Sequence, residues 1–117
     1  MASFLYIFQA SPYGCAAGQE GLDAVLAASA LDLNCSVLFC DDGVYQLKIG
    51  QNSVNGVKQY TKAFAALPDF GVEQIYVESQ SLASRGLSLN DLLIEVAVLE
   101  THAVKTLIAQ QDRVLVF

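Results

Sequence analysis

The sequence predicts an α/β fold in which a five-stranded, mainly parallel sheet lies between layers of helices. Apolar runs of strand length alternate with segments of helical periodicity along the whole chain. The first run, Ser3–Gln9, is apolar at consecutive positions, which is typical of a strand covered on both faces. This alternation implies parallel strands, because each crossover must return across a face of the sheet.

The first half of the chain supplies two strands and one helix. After the strand Ser3–Gln9, apolar residues recur at helical spacing from Leu22 to Ser29, with Glu20 near the first turn, where the helix dipole favours negative charge. Cys35–Cys40 is the second predicted strand. The segment DDGVYQLKIGQNSVNG that follows is polar, contains several glycines and is long for a connection in a small domain, which is typical of a functional or contacting segment.

The second half supplies three strands and three helices. One helix shows an apolar face and ends at Pro68. Gly86 is predicted to end a short helix in the left-handed conformation, after a hydroxyl cap at its start. The predicted elements are a helix with Val57, Tyr60, Phe64 and Leu67 on one face, a strand at Glu73–Glu78, a helix at Ser79–Gly86, a strand at Leu92–Leu99, a helix capped by Thr101, and a strand at Arg113–Phe117.

Length and composition predict a single domain, residues 1–117, that assembles into oligomers. The chain has no Ser/Gly/Pro-rich or charged linker, and it is 54% hydrophobic but only 15% charged. A domain of this size has too little interior to bury so much apolar surface. We therefore expect an exposed apolar patch that forms subunit contacts, and an obligate oligomer.

Charge and termini exclude several classes of function. The net charge of −6 opposes direct binding of a nucleic-acid backbone, which depends on clustered Lys and Arg. The N-terminal apolar run has no basic segment before it and is too short to span a bilayer, which predicts a cytoplasmic protein without a membrane segment. Cys15, Cys35 and Cys40 form no CxxC pair and lack zinc-site spacing with His102, so free thiols and no structural metal are expected.

The stretch Ser11–Leu33 contains three glycines and a cysteine between the first strand and the first helix. It has three interpretations: a phosphate cradle, a thiol active site or a tight turn. Gly14, Gly18 and Gly21 do not form GxGxxG, and no Lys-Ser/Thr pair follows them. A tight turn is therefore favoured over phosphate binding, and no cofactor is predicted.

The three cysteines differ in their predicted chemistry. Cys15 is the candidate nucleophile, because it follows a strand at the ligand-binding carboxyl edge and precedes a helix N-terminus that can lower a thiol pKa. Against this, the neighbouring sequence has no His or Lys to activate it, and structural cysteines are common. Cys40 ends the second strand beside Asp41 and Asp42, which are predicted to raise its pKa. Cys35 begins that strand at the opposite end, and both are predicted to be structural.

Five further residues have alternative interpretations. Glu95 interrupts an apolar strand, which favours a sheet edge or a subunit interface over catalysis. Val44, Tyr45 and Leu47 lie in a loop that should be polar, and exposed side chains there would suit a subunit contact. The alternative for Tyr45 is that it folds back on the core. His102 is predicted to be a surface residue.

Four segments together resemble the DsrE/DsrF-like family of small sulfur-relay proteins, most closely its TusC (DsrF-type) branch. They are PYGCAAGQEGLDAVLAASAL after the first strand, DDGVYQLKIGQ after the second, SLASRGL after the third, and the terminal DRVLVF. The resemblance covers nearly the whole chain, and the first two motifs in combination are the specific ones. It implies a three-layer α/β/α domain of flavodoxin-like topology.

The resemblance also implies an assembly and a pathway. TusC-like proteins form a cytoplasmic heterohexamer with TusB-like and TusD-like subunits. That complex passes persulfide sulfur from a TusA-like carrier towards a TusE-like carrier, for 2-thiouridine formation at tRNA wobble positions. The related Dsr complex serves sulfur oxidation.

In that family the sulfur-accepting cysteine belongs to the TusD-type subunit and lies just after the third strand. The matching positions here are Val77, Glu78 and Ser79, none of which can carry a persulfide. The resemblance thus implies a non-catalytic subunit. Two alternatives remain: a homo-oligomeric sulfur carrier that uses Cys15, alone or with Cys40, and a small flavodoxin-like nucleotide-binding module.

Overall fold

The structure is a computed structural model that describes residues 2–12, 16–49 and 60–117. Its sheet has five parallel strands, as predicted, and their order is β4-β3-β2-β1-β5. The elements are β1 Ser3–Phe8, α1 Ala17–Ala30, β2 Asn34–Phe39, a 3₁₀ helix Asp41–Leu47, a 3₁₀ helix Tyr60–Phe70, β3 Gln74–Glu78, α2 Ser79–Ser84, a 3₁₀ turn Leu89–Asp91, β4 Ala97–Leu99, α3 Thr101–Ala109 and β5 Arg113–Val116.

The two faces of the sheet are covered unequally. Alternate residues of β1 face opposite ways, and Leu5, Tyr6, Ile7 and Phe8 are all buried, as the continuous apolar run predicted. On one face Phe8 and its neighbours pack against α1 and the 3₁₀ helix Tyr60–Phe70. On the other face Leu5, Ile7 and Leu38 pack mainly against Val104 of α3. The result is a three-layer domain in which, among the described residues, the short helix α3 covers the second face.

Close packing at two glycines fixes how α1 and the first 3₁₀ helix meet β1. A Cβ atom at Gly21 of α1 would lie 2.5 Å from Cε1 of Phe8 and 2.8 Å from Cγ of Phe117. A Cβ atom at Gly43 would lie 1.7 Å from the carbonyl oxygen of Phe8. Neither position has room for a side chain, so both glycines are required by close approach.

Several predicted boundaries and caps are wrong. The fourth strand spans Ala97–Leu99 and not Leu92–Leu99. The 3₁₀ helix continues past Pro68 to Phe70, and Val57 lies outside the described residues. Thr101 is the first residue of α3 and not its cap, and α2 has no hydroxyl cap. The left-handed Gly86 after α2 is confirmed, with φ of 66°.

In the described parts of the chain, no helix has the length and apolar character that a membrane crossing requires. Exposed apolar side chains are nevertheless numerous. Those that are large and exposed are Leu31, Leu33, Ile49, Phe70, Leu89, Val98, Ile108, Val114, Leu115 and Val116. Their grouping into one patch, and its use in an oligomer, stay predictions.

Candidate functional site

The carboxyl ends of β1, β2 and β3 lie at the same end of the sheet, where ligands bind in parallel α/β folds. Cys40 directly follows β2, and its N–H donates to the carbonyl oxygen of Phe8 at 3.0 Å, which fixes it beside β1. Glu78 is the last residue of β3 and precedes α2. We call the group formed by Cys40, Asp41, Glu78 and Ser81 the β2–β3 corner.

A hydrogen-bond chain closes this corner. The N–H of Asp41 donates to Oγ of Ser81 at 2.9 Å, and that hydroxyl donates to Oε1 of Glu78 at 2.5 Å. Asp41 adopts a left-handed φ of 51°, which turns its N–H towards α2. Ser81 is 3% exposed, so both of its hydrogen bonds are shielded from water. The carboxylate of Glu78 is therefore held in place at the carboxyl end of β3.

An exposed ion pair flanks the corner. Nε of Arg85 lies 3.0 Å from Oδ1 of Asp42, and Nη1 of Arg85 donates to the carbonyl oxygen of Ser81 at 3.2 Å. Because the Asp42 side chain is 59% exposed, the pair contributes only about 0–1 kcal/mol to stability. Its structural effect is to join the turn after β2 to α2.

The Cys40 thiol is held in its protonated form. Its pKa is raised to about 11, chiefly by burial and then by the carboxylates of Asp41 and Glu78, against smaller opposing effects of Gln9 and Arg85. The predicted direction is confirmed, but burial is the main cause, Asp42 is not among the causes, and the effect of Glu78 was missed. A thiol in this state is a poor nucleophile at neutral pH.

We expect iodoacetamide to label Cys40 in the folded protein at pH 8 about 100-fold more slowly than in the unfolded chain. A pKa of about 11 in place of 9.0 lowers the thiolate fraction by that factor. The unfolded thiol loses its proton near 9.0 and the folded one near 11, so the free energy of unfolding should fall as pH rises through this window.

Peptide mass spectrometry after timed labelling, with and without urea, measures the two rates for Cys40 separately. Glu78→Gln removes one carboxylate that raises the pKa and should increase the folded-state rate. Equal labelling of the folded and unfolded chains would contradict a buried, protonated thiol.

At the opposite end of the sheet, Cys35 is also buried. Burial raises the pKa of its thiol, although a hydrogen bond with the Tyr6 hydroxyl partly opposes the rise. The pKa of Tyr6 is raised as well, first by burial and then by Cys35. The predicted place of Cys35 at the amino end of β2 is confirmed, since it pairs with Phe4 near the start of β1.

The proposed exposure of the loop side chains is wrong for two of the three. Val44 and Leu47 are fully buried, because they lie three residues apart on one side of the 3₁₀ helix and pack into the core. Tyr45 is half-buried. A role of Tyr45 in a subunit contact stays a prediction, whereas Val44 and Leu47 have no free surface to offer.

The remaining candidates are Glu95, His102 and Cys15. Glu95 is exposed, but it precedes β4 and does not interrupt a strand. His102 is exposed on α3, as predicted. Cys15, the candidate nucleophile, lies outside the described residues. Within residues 2–12, 16–49 and 60–117, no group of three or more His, Cys, Asp and Glu side chains is placed to hold a metal ion.

Three contributors to the corner were not identified from the sequence: Ser81, Arg85 and Gly43. The available signal was the spacing Glu78-x-x-Ser81, which places a hydroxyl one helical turn after a strand-end carboxylate. Gln46 was also missed. Its fully buried amide donates to the carbonyl oxygen of Ala10 at 2.9 Å and so ties the 3₁₀ helix to the segment after β1.

The fold and the β2–β3 corner define a small parallel α/β domain with a cysteine, Cys40, and a carboxylate, Glu78, at the ends of adjacent strands. The chain belongs to the DsrE/DsrF-like family, whose model matches residues 2–117. It is 41% identical to a Vibrio parahaemolyticus protein named TusC homolog and 38% identical to TusC of Shigella flexneri, with all of both chains covered in each case.

A third relative is named for a role in sulfur oxidation. The intracellular sulfur oxidation protein DsrF of Allochromatium vinosum is 42% identical over 95 residues, which are 80% of this chain and 69% of the relative. The crystal structure of the YchN protein from Escherichia coli superposes with a TM-score of 0.85 over 100% of both chains. At 19% identity, that likeness shows the fold alone.

Proposed function

We propose that this chain is a TusC-like, non-catalytic subunit of a TusBCD-type sulfurtransferase complex, which supports persulfide relay for 2-thiouridine formation at tRNA wobble positions. Full-length identity of about 40% to proteins named TusC supports this assignment. The complex is expected in the cytoplasm, with TusB-like and TusD-like subunits as direct partners and TusA-like and TusE-like carriers as indirect ones.

The observation that carries the proposal is the chemistry of the β2–β3 corner. The residues that end β3 and begin α2 are Val77, Glu78 and Ser79, where the family's sulfur-accepting subunit is expected to have its cysteine. Carboxylate and hydroxyl oxygens cannot carry a persulfide. The Glu78 carboxylate instead accepts from the Ser81 hydroxyl, which in turn accepts from the N–H of Asp41 in the turn after β2.

Cys40 does not replace the expected cysteine. The residue is 8% exposed and the pKa of its thiol is raised to about 11, so the thiol is buried and protonated at neutral pH. A persulfide forms by attack of a thiolate on a donor sulfur, which requires both properties. The corner therefore favours a structural role, and the net charge of −6 is consistent with binding protein partners and not the tRNA itself.

The test is complementation of a strain that lacks this gene. We expect the deletion to reduce tRNA 2-thiouridine, and a tagged Cys40→Ala chain to restore it as fully as the unchanged chain. Native mass spectrometry of the tagged complex should show two different DsrE-like partners in equal copies. A homo-oligomer that gains sulfur mass from a persulfide donor, and loses it on Cys15→Ser, would overturn the proposal in favour of the carrier.

A second function, as a DsrF-type subunit in sulfur oxidation, is favoured by the relative from Allochromatium vinosum. The same deletion strain distinguishes the two functions. Normal 2-thiouridine with impaired oxidation of intracellular sulfur would favour the second function, and the reverse pattern would favour the first.

A further inference from the structure

One lateral edge of the sheet has no cover among residues 2–12, 16–49 and 60–117. The strand order places β5 at that edge, and its residues Val114, Leu115 and Val116 are 38%, 38% and 55% exposed. Arg113 at its start is the only charged residue of the strand, which contains no proline. Natural proteins usually protect such edges with charges, proline or a cover, because exposed apolar edges pair with other strands.

The opposite edge is protected in the usual way. β4 has only three residues, Ala97–Leu99, and acidic side chains flank it at Glu95 and Glu100. The segment before it is irregular and turns back to the 3₁₀ helix, with an antiparallel bridge between Lys48 and Leu92. The chain therefore limits pairing at β4 and leaves it open at β5.

The backbone of β5 presents free pairing groups on its outer side. The N–H of Phe117 donates to the carbonyl oxygen of Ile7 at 2.8 Å, and its carbonyl oxygen accepts from the N–H of Gln9 at 2.7 Å. Phe117 thus directs both groups to β1. Because these directions alternate along a strand, Leu115 also faces β1, whereas Val114 and Val116 direct N–H and C=O away from the sheet.

We propose that β5 is the contact through which two copies of this chain pair, edge to edge and antiparallel, across a two-fold axis at Leu115. Val114 and Val116 alone in the strand have outward groups, so each Val114 would exchange both hydrogen bonds with Val116 of the second copy. Leu115 would then lie opposite Leu115 of the second copy, in a pair without hydrogen bonds.

The side chains of the two copies are compatible with this register. Leu115 shares a sheet face with Tyr6, its register partner, and would meet its own symmetry mate there. Arg113 would lie opposite Phe117 of the second copy on that same face, and a guanidinium over an aromatic ring is attractive. The carboxylate of the preceding residue, Asp112, already accepts from the N–H of Ser3 at 2.7 Å.

Self-complementarity is the reason to choose a second copy over a different subunit. A two-fold contact uses the same residues on both sides and closes after two chains. Four strand residues bury less than the roughly 1,200–2,000 Å² of a standard interface, so the contact is expected to act together with other subunit contacts in the assembled protein. The pairing is independent of the proposed sulfur relay.

The test is disulfide trapping in the assembly purified from the protein's own cells. Leu115→Cys is made in a Cys15→Ser background, in which Cys35 and Cys40 are buried. In antiparallel pairs without hydrogen bonds the Cα atoms are about 4.5 Å apart, within the range that a disulfide spans. We expect mild oxidation to give a dimer of this chain joined through residue 115, identified by peptide mass spectrometry.

Val98→Cys on β4 is the matched control, because Val98 is 42% exposed on the other edge strand, and it should not form the dimer. Val116→Pro added to Leu115→Cys removes only an outward N–H and should lower the yield of the cross-link by about five-fold or more. Three results would overturn the proposal: no link at residue 115, a link from 115 to a different protein, or a yield unchanged by Val116→Pro. The cross-link is identified from peptides of this chain, so its outcome is read separately from the proposed role in thiolation.

Discussion

Gly43→Ala is expected to lower the free energy of unfolding by about 3–5 kcal/mol, or to prevent folding. The added Cβ atom would lie 1.7 Å from the carbonyl oxygen of Phe8 and 2.4 Å from its carbonyl carbon. Both atoms belong to the backbone of β1, so no side chain can rotate away to make room. The turn after β2 would have to move away from the central strand, and urea unfolding followed by circular dichroism measures the cost.

Gly86→Ala is the control for this substitution. Gly86 has a left-handed φ of 66° but no atom within 4 Å of its Cβ position, so alanine there meets backbone strain without a clash. That strain costs about 1–2 kcal/mol. If Gly43→Ala were no more destabilising than Gly86→Ala, the close approach of the turn to Phe8 would be wrong.

Gly43 also connects stability to the β2–β3 corner. Its N–H donates to the carbonyl oxygen of Cys40 at 2.9 Å, and Cys40 in turn donates to Phe8. The turn that this glycine permits is the one that directs the Asp41 N–H to Ser81. A chain that folds with alanine at residue 43 should therefore label faster at Cys40 with iodoacetamide.

Hydrophobic periodicity was sufficient to predict the sheet. Each of the five strands is present and parallel, because consecutive apolar residues in β1 and β2 require cover on both faces. The helices α1 and α3 follow from their spacing of apolar residues for the same reason. Both signals, the apolar run and the helical spacing, lie within the segment that forms the element.

The segment Leu92–Leu99 shows where local signals fail. Its apolar run predicts a long strand, but the N–H of Leu93 donates to the carbonyl oxygen of Leu47 at 2.7 Å, and Leu92 is buried in the core. The backbone groups that a strand would use are thus taken by the end of the 3₁₀ helix. Such a tertiary contact overrides propensity and has no signature within the segment itself.

The loop after β2 was misjudged for a related reason. The segment Asp41–Leu47 is polar in composition, which predicts exposure, yet Val44 and Leu47 share one side of a 3₁₀ helix. A spacing of three residues brings them together against the core. The corner itself depends on Ser81 and Asp41, which are distant in sequence and meet only because β2 and β3 are neighbours.

Phe64→Ala is expected to lower the free energy of unfolding by about 3–5 kcal/mol. The Phe64 ring is fully buried against the sheet, with its centroid 5.3 Å from those of both Phe8 and Phe39 in edge-to-face contact. Phe8 and Phe39 stack at 5.0 Å, so the three rings form one cluster on the covered face. Alanine would leave a cavity beside Phe8 and Phe39, which are the last residues of β1 and β2.

Phe70→Ala is the matched control, because Phe70 ends the same 3₁₀ helix and is 54% exposed. Its loss should change stability by no more than about 0.5 kcal/mol. Phe64→Leu separates volume from ring geometry, and it should cost about 1–2 kcal/mol, since it keeps most of the apolar volume but removes both edge-to-face contacts. Similar losses for Phe64→Ala and Phe70→Ala would show that the helix Tyr60–Phe70 does not pack on β1 and β2.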